Sequence, residues 1–522
     1  MGHWKARLHC AAERQNEKAI SRRKYTFQSA LSVLALIVLF FQPVAQAAET
    51  RLARMTSLTQ YGITWTFDRE VEVGQFVNGD YYVIGACSVV DIDPRPANGR
   101  NGSTVNLGIN QNKSPFDDRA PGKRFDPENY LSLPISLKPN DSLISSVSVA
   151  EPKQRPGVLM PNGREKALSG VRSYSVLTCL VAAVRADAFR PPYCVGDKTI
   201  YYANDLKRDL LPKLEAVENT ANPDLFIWMY QRPWMEVCFF NFDGAAEYQA
   251  HYGRETSRAF GNASLLLCLD IDAEKKEKLL INCVQYGLDL WGIARAGYRW
   301  TALGGHGNGR KWPIVFAGMM LDDEAMSRPT TSLEHAVFSE DEQTRYGQAW
   351  HGATVIYGGH MGESKADDFR QILHEVVHPK DWPVNEKVSR KWQLAAATNE
   401  GYRRCCTSSS WVASALAMRL MKAEGNWDHP AFFDYVDRWM TEDDTIINET
   451  ISAELKKRGS SRGFKADRER AQGMAWDTFT IEMWEKYRSE KPRFVRDPAM
   501  RGYELKFPTA PEGLGFLLPQ PK

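Results

Sequence analysis

The sequence predicts a mainly α protein whose helical hairpins are arranged in a ring, with a small β-rich module in front of it. Three observations lead there. After about Ala203, apolar residues recur at three- and four-residue spacing in several long stretches. The connections between those stretches are crowded with Trp, Tyr, His, Arg and Gly. Ahead of them, β-branched and aromatic residues alternate around turn-forming residues.

In chain order, Lys18, Arg22, Arg23 and Lys24 precede an apolar run from Ala30 to Phe41, and Ala45-Gln46-Ala47 supplies small residues for cleavage. The run is shorter than the roughly 20 apolar residues that span a bilayer. Residues 1–47 therefore read as a signal peptide that sends the chain to the periplasm or the exterior, with no membrane anchor once it is removed. That segment carries seven Lys/Arg and two Asp/Glu. The 66 basic and 64 acidic residues of the whole chain become 59 and 62 without it, a net charge of −3. A chain so close to neutrality has no broad basic field for nucleic acid, and any polyanion must meet a local arginine cluster. Hydrophobic residues at 43% and charged residues at 25% exclude a disordered chain. Eight cysteines remain after the signal, too scattered for a small disulfide scaffold. Cys179 and Cys194 are the pair to test first, and the adjacent Cys405 and Cys406 read as small buried apolar residues.

The β-rich module covers 48–200. Between Tyr61 and Val90 two alternating runs flank Asn78-Gly79-Asp80, a hairpin. Residues 91–165, full of Pro, Gly, Asn and Ser, read as long loops, and SYSVLTCLVAAV at 173–184 reads as another strand. Residues 201–490 carry the helices: NDLKRDLLPKLEAV, ASLLLCLDIDAEKKEKLLINCVQYGLDLWGIAR and SSSWVASALAMRLMKAE. Their polar, aromatic connections place a cleft on one rim of the ring. Residues 491–522 form a C-terminal extension.

The most pointed connection runs from Tyr298-Arg299-Trp300 through the glycines around His306 and Asn308 to Arg310 and Trp312. Its glycines let backbone approach a ligand. His306 is suited to proton transfer, Arg310 to a fixed positive charge, and Trp300 or Trp312 to a flat face for a sugar ring. In NEGYRRCCT, Arg403 and Arg404 precede an expected helix from Thr407 to Met421, where a helix N-terminus favours anions. Arg232 with Trp234 in YQRPW, and Tyr252 with Arg254 in HYGRE, are candidates for lining a groove. His374, Glu375 and His378 satisfy H-E-x-x-H, a zinc-peptidase pattern when helical, but Pro379 ends any helix at once. Glu236, Glu255 and Glu400, near aromatic loops, leave hydrolysis by paired carboxylates open.

GGHGNGRKWPIVFAG and YRRCCT resemble a family of polysaccharide lyases, family 38, that cut β-1,4-linked uronic acid polymers such as glucuronan and polymannuronate. YQRPW and HYGRE are compatible with that resemblance, which covers roughly residues 225–425. GITWTFDREVEVGQFVNGDYYVIG resembles an N-terminal β module of related exported proteins. The resemblance implies an (α/α) toroid, an incomplete helical barrel. It also implies a β-elimination without cofactor or metal that leaves a 4,5-unsaturated uronate. Arg310, Arg403, Asn308 and His306 are then candidates to neutralise the uronate carboxylate, with Arg404 beside them. Tyr298, Tyr357 or Tyr402 is the candidate proton-transfer group, because the C5 hydrogen and C4 oxygen of glucuronate and mannuronate lie on one face of the ring. A zinc peptidase and a non-catalytic glycan-binding protein are the alternatives.

Overall fold

The computed structural model describes residues 52–109, 113–119, 125–151, 154–156, 166–168, 170–236, 246–250, 252–360, 374–382, 395–459, 473–475 and 477–488. The expected signal peptide and C-terminal extension lie outside the described residues. Ala47–Lys522 forms one compact unit.

The chain opens with a hairpin of β1 (Ala53–Gln60) and β2 (Ile63–Gln75), turned by Tyr61 at φ 50° and Gly62 at φ 80°. The hairpin expected at Asn78-Gly79-Asp80 follows and joins β2 to β3 (Tyr81–Ile84). β3 and β4 (Cys87–Asp93) form two halves of one antiparallel return along β2, broken at Gly85, where φ is +75°. The break lets the two halves take different neighbours.

Four further pieces, β5 (Ser103–Val105), β6 (Ile135–Leu137), β7 (Ser142–Ser148) and the ribbon of β8 (Gln154–Pro156) with β9 (Lys166–Leu168), lead to β10 (Val171–Leu180). The result is one eight-stranded mixed sheet in the order β5-β7-β10-β3-β2-β4-β6, with β1 also on β2, curled into a half-barrel. Only the β10–β3 pair is parallel among its described ladders.

This sheet corrects the expected small β module with long loops. The serines read as loop signals lie in buried strands and satisfy their hydroxyls across the sheet. Ser103 and Ser145 hydroxyls lie 2.8 Å apart, Trp65 Nε1 donates to Ser145 Oγ at 3.0 Å, and Ser146 Oγ donates to the Gly102 carbonyl at 3.0 Å.

The helices are α1 (Pro223–Tyr230), α2 (Gly253–Leu267), α3 (Ala273–Arg295), α4 (Lys311–Met320), α5 (Glu324–Ser327), α6 (Pro329–Ser332) and α7 (Ser339–Gln343). A ribbon of β11 (Thr344–Tyr346) and β12 (Val355–Tyr357) follows. Then come α8 (Ala395–Tyr402), a π-helical turn at Arg403–Thr407, and α9 (Ser408–Leu420). The last are α10 (Glu424–Trp427), α11 (Pro430–Thr441), α12 (Thr445–Lys457) and α13 (Thr478–Tyr487).

The long helices α3 and α9 fall where the periodicity put them, whereas the stretch expected from Ala263 to Arg295 is broken between Leu267 and Ala273, and its first part belongs to α2, which starts at Gly253. α2 is buried along its whole length and packs on α9, while α3 packs on α1 and α4. The expected helix over Asn204–Val217 is instead two 3-10 turns, at Ala203–Asp205 and Arg208–Leu210, since Pro212 has no amide hydrogen to continue it. No described helix is long and apolar enough to cross a membrane.

The mainly α toroid is overturned as well. Four of the helices are single turns, and the core is not ringed by hairpins. Ile144, Tyr174 and Val176 of the sheet share one apolar cluster with Phe260, Trp312 and Trp411 of the helices. Sheet and helices therefore stabilise each other across the expected boundary near residue 200.

Cys179 and Cys194, the pair to test first, are separate free thiols. Cys179 donates to the Gly85 carbonyl at 3.3 Å, and burial pushes the Cys194 thiol up to about 12.

Candidate active site at the glycine loop

Residues 303–310 form a tight loop leading into α4, and three amides fix it. Gly304 N donates to the His360 carbonyl at 2.8 Å, Gly305 N to Tyr252 Oη at 2.9 Å, and Gly309 N to Glu340 Oε1 at 2.5 Å. From inside, Arg310 Nη1 donates to the carbonyls of His306 (2.9 Å) and Asn308 (2.6 Å). A Cβ on Gly305 would strike the Cys406 carbonyl, and one on Gly253, the first residue of α2, would strike the carbonyls of Gly305 and His306. The glycines therefore serve close packing of the loop on α2 and the π turn, where the sequence suggested approach to a ligand.

That packing assembles a cluster of proton-transfer groups. His306, half-buried, stands edge-on to Tyr252 with ring centroids 4.8 Å apart. Tyr402, the half-buried last residue of α8, lies against Gly304, and its ring centroid is 3.8 Å from that of His360. Arg254 Nη1 donates to the Cys405 carbonyl at 2.7 Å and ties α2 to the π turn. Burial, with Cys406 adding to it, holds the Tyr252 hydroxyl well above its usual pKa. The hydrogen bond with Cys405, then burial, does the same for the Cys406 thiol.

Asn308 is fully buried, and neither its amide nitrogen nor its oxygen has a partner. A buried polar group left unpaired costs about 1–3 kcal/mol, so this side chain has a reason to be there other than stability.

The arginines behave differently from expectation. Arg254, Arg310, Arg403 and Arg404 are all at most 2% exposed, and each is engaged by a buried carboxylate. Arg254 Nε donates to Glu255 at 2.7 Å and Arg310 Nη2 to Glu236 at 2.8 Å. Glu400 accepts from Arg403 Nε and Nη2 at 2.7 and 2.8 Å and also from Arg404, which reaches Asp444 at 2.6 Å. Glu236, Glu255 and Glu400, the candidate hydrolytic carboxylates, are thus the counterions of the candidate anion-binding arginines. Nor do Arg403 and Arg404 stand at a helix start: α8, the π turn and α9 run on without interruption. Burial alone would raise the Glu400 carboxyl, but Arg403 and Arg404 hold it well below the usual range.

The remaining candidates are core. Arg232 is caged by Tyr248, Trp228 and Tyr61, with its guanidinium carbon 4.1, 5.1 and 5.6 Å from their ring centroids. Trp234 stacks on Tyr230, Trp300 stacks on Phe338, and Trp312 Nε1 donates to Ser264 Oγ at 3.0 Å. None of the three tryptophans offers a face to a sugar, because all are at most 3% exposed. Tyr298 and Tyr357 are likewise buried, and burial drives the Tyr357 hydroxyl well above its usual pKa, opposite to what a base needs.

The HEVVH run is a turn, not a helix, so its histidines do not share a helical face. His374 Nε2 lies 2.7 Å from Glu400 Oε2, while the ring of His378 packs on Trp350 with centroids 5.0 Å apart. Glu375 is clamped by Arg438 through contacts of 2.6 and 3.0 Å.

His360 is the member of the cluster that sequence reasoning missed. Its signal was present, since it belongs to WHGATVIYGGHMG, a connection with the same composition as the glycine loop. No protein-family model, curated protein or solved structure matches this chain.

Proposed function

We propose that this chain is an exported polysaccharide lyase that cleaves β-1,4-linked polyuronates by β-elimination at the glycine loop. One observation carries the reading. Of the three candidate tyrosines only Tyr402 is partly exposed, and it borders the loop that holds His306 and the unpartnered Asn308 amide. Tyr402 takes the C5 proton of the uronate as a phenolate and, as the phenol so formed, returns a proton to the departing C4 oxygen on the same face. His360 stands in ring contact with Tyr402 and borders the same loop. The charge that develops on the uronate carboxylate is met by the half-buried His306. The arginines of the π turn and of α4 position these groups through their ion pairs. Tyr252, which keeps its proton, fixes Gly305.

The test is ultraviolet absorbance of the conjugated double bond on glucuronan, polymannuronate and polyguluronate, without added metal. Product is expected on one of the first two. Replacing Tyr402→Phe should lower kcat by about 10²–10⁴-fold with an unchanged circular dichroism spectrum. No product on any of the three polymers, or full activity in the Tyr402→Phe variant, overturns the reading.

A further inference from the structure

The π turn at Arg403–Thr407 carries the one adjacent pair of cysteines in the sequence, and the two differ in setting. Cys405 is half-buried, while Cys406 is buried. The Cys406 thiol donates to Cys405 Sγ at 3.4 Å, so the two sulfurs already face each other. Arg254, paired through Nε with Glu255, turns Nη1 toward the same turn, 2.7 Å from the Cys405 carbonyl and 3.7 Å from Cys405 Sγ. A guanidinium beside a sulfur and a hydrogen bond donated to it both favour the thiolate, which is the reactive form. Cys405 therefore combines access, a stabilised negative charge and a second thiol placed to resolve the first oxidation product.

The resolving thiol is also tied to the glycine loop. Cys406 shares a hydrogen bond with the Tyr252 hydroxyl, which accepts from Gly305 N at 2.9 Å, and the Cys406 carbonyl packs against Gly305 itself. A disulfide normally joins residues whose Cα atoms are about 4.4–6.8 Å apart, whereas chain neighbours hold theirs about 3.8 Å apart. A bridge between neighbours consequently strains the backbone and is the more easily reduced for it. Here the strained peptide unit is the one that abuts Gly305, and the sulfur that closes the bridge must leave Tyr252.

We propose that Cys405 and Cys406 are a reversible oxidation site for small hydroperoxides that shifts the glycine loop. The Cys405 thiolate attacks the peroxide, the O–O bond breaks, and the sulfur becomes a sulfenic acid while the other oxygen takes a proton and leaves as water or an alcohol. The Cys406 sulfur then displaces that hydroxyl: the S–S bond forms, the S–O bond breaks, and water leaves with the Cys406 proton. Two electrons pass from the sulfurs to the peroxide, and an external dithiol returns them by exchange, itself becoming a disulfide. A half-buried Cys405 favours a small oxidant over a bulky one. That the shifted loop also slows elimination rests on the polyuronate reading above.

The experiment treats the purified, reduced protein with hydrogen peroxide, then with dithiothreitol, and reads peptide masses and amide hydrogen exchange. The peptide holding both cysteines should lose two hydrogens and resist alkylation after denaturation. Exchange across residues 303–310 should quicken at least tenfold, and dithiothreitol should reverse both changes. In Cys406→Ser, which lacks the resolving thiol, oxidation should halt at a sulfenic acid that dimedone traps, and in Cys405→Ser the turn should not be oxidised at all. Elimination by the bridged protein should fall at least tenfold and recover on reduction. An unchanged peptide mass, a bridge from Cys405 to a different cysteine, or a bridged protein whose loop exchanges as before overturns the inference. A protein that makes no unsaturated product yet shows the reversible bridge and the faster loop exchange keeps the oxidation site and loses the lyase. Product formed equally fast by the bridged protein overturns the control of elimination.

Discussion

Replacing Glu340 by Gln should make this protein more stable at pH 8 and leave it nearly unchanged at pH 5. Glu340 sits in α7 at 2% exposure, with Oε1 accepting from Gly309 N and Oε2 unpartnered. Burial, only partly offset by the Gly309 hydrogen bond, pushes its carboxyl from 4.5 up to about 7. Between those two values the folded chain keeps a proton that the unfolded chain has released, so stability falls as pH rises from about 4.5 to about 7 and is level beyond. At 1.36 kcal/mol per pH unit the loss comes to roughly 3 kcal/mol. Gln keeps the acceptor oxygen for Gly309 and cannot ionise. Urea unfolding followed by tryptophan fluorescence at the two pH values reads the difference directly. With a urea slope of about 3 kcal/mol/M, Glu340→Gln should raise the midpoint at pH 8 by about 1 M relative to the parent. An equal gap at both pH values, or a parent that gains stability between pH 5 and pH 8 relative to the variant, refutes the reasoning.

Three other outcomes follow from the same geometry. Glu400→Ala strips the counterion from Arg403 and Arg404 and should cost about 3–5 kcal/mol at pH 7, read from the urea midpoint. The Glu400 carboxyl is depressed in the fold, so its share of stability is present above about pH 4.5. It is lost as pH falls through the lowered folded value, and a variant as stable as the parent at pH 7 contradicts the ion-pair account. Gly305→Ala cannot seat its methyl against the Cys406 carbonyl, so the loop must shift and elimination should fall at least tenfold with the bulk of the fold retained; unchanged kcat would disconnect the loop from catalysis. Of the seven described cysteines, only the half-buried Cys405 should be alkylated in the native protein, and peptide mass mapping after denaturation should find Cys179 and Cys194 both labelled. A cross-linked Cys179–Cys194 peptide would contradict the free thiols.

The sequence made the long helices α3 and α9 legible because they bury apolar residues at helical spacing, and it located the β2–β3 hairpin through its Asn-Gly turn. The extent of the sheet was hidden by chemistry. Ser103, Ser145 and Ser146 look like loop residues until each hydroxyl is given a partner on or beside a neighbouring strand, and such partners are far apart along the chain. At the site, the clustering of His306, Tyr252, Arg254 and Tyr402 was readable from composition. What composition cannot give is pairing: whether Arg310 faces a substrate or Glu236 depends on α3 and the segment after α1 meeting at one point, a long-range event with no local signature. The tryptophans misled for the same reason, since a ring that stacks on a sugar and a ring that stacks on Phe338 have the same neighbours in sequence.

The π turn between α8 and α9 acts as a phase shifter. A π turn holds about one residue more than an α turn, so it is equivalent to a single residue inserted into a continuous rod. Excising one residue from Arg403–Thr407 would let the rod relax to plain α-helix. With 3.6 residues per turn, everything before the cut would then rotate by about 100° relative to α9. Tyr402 would swing away from the glycine loop, while α9 stayed seated on α2. Alignment of the proton-transfer groups with the core thus hangs on a one-residue count, an indel-sensitive setting that point substitutions at either end leave untouched.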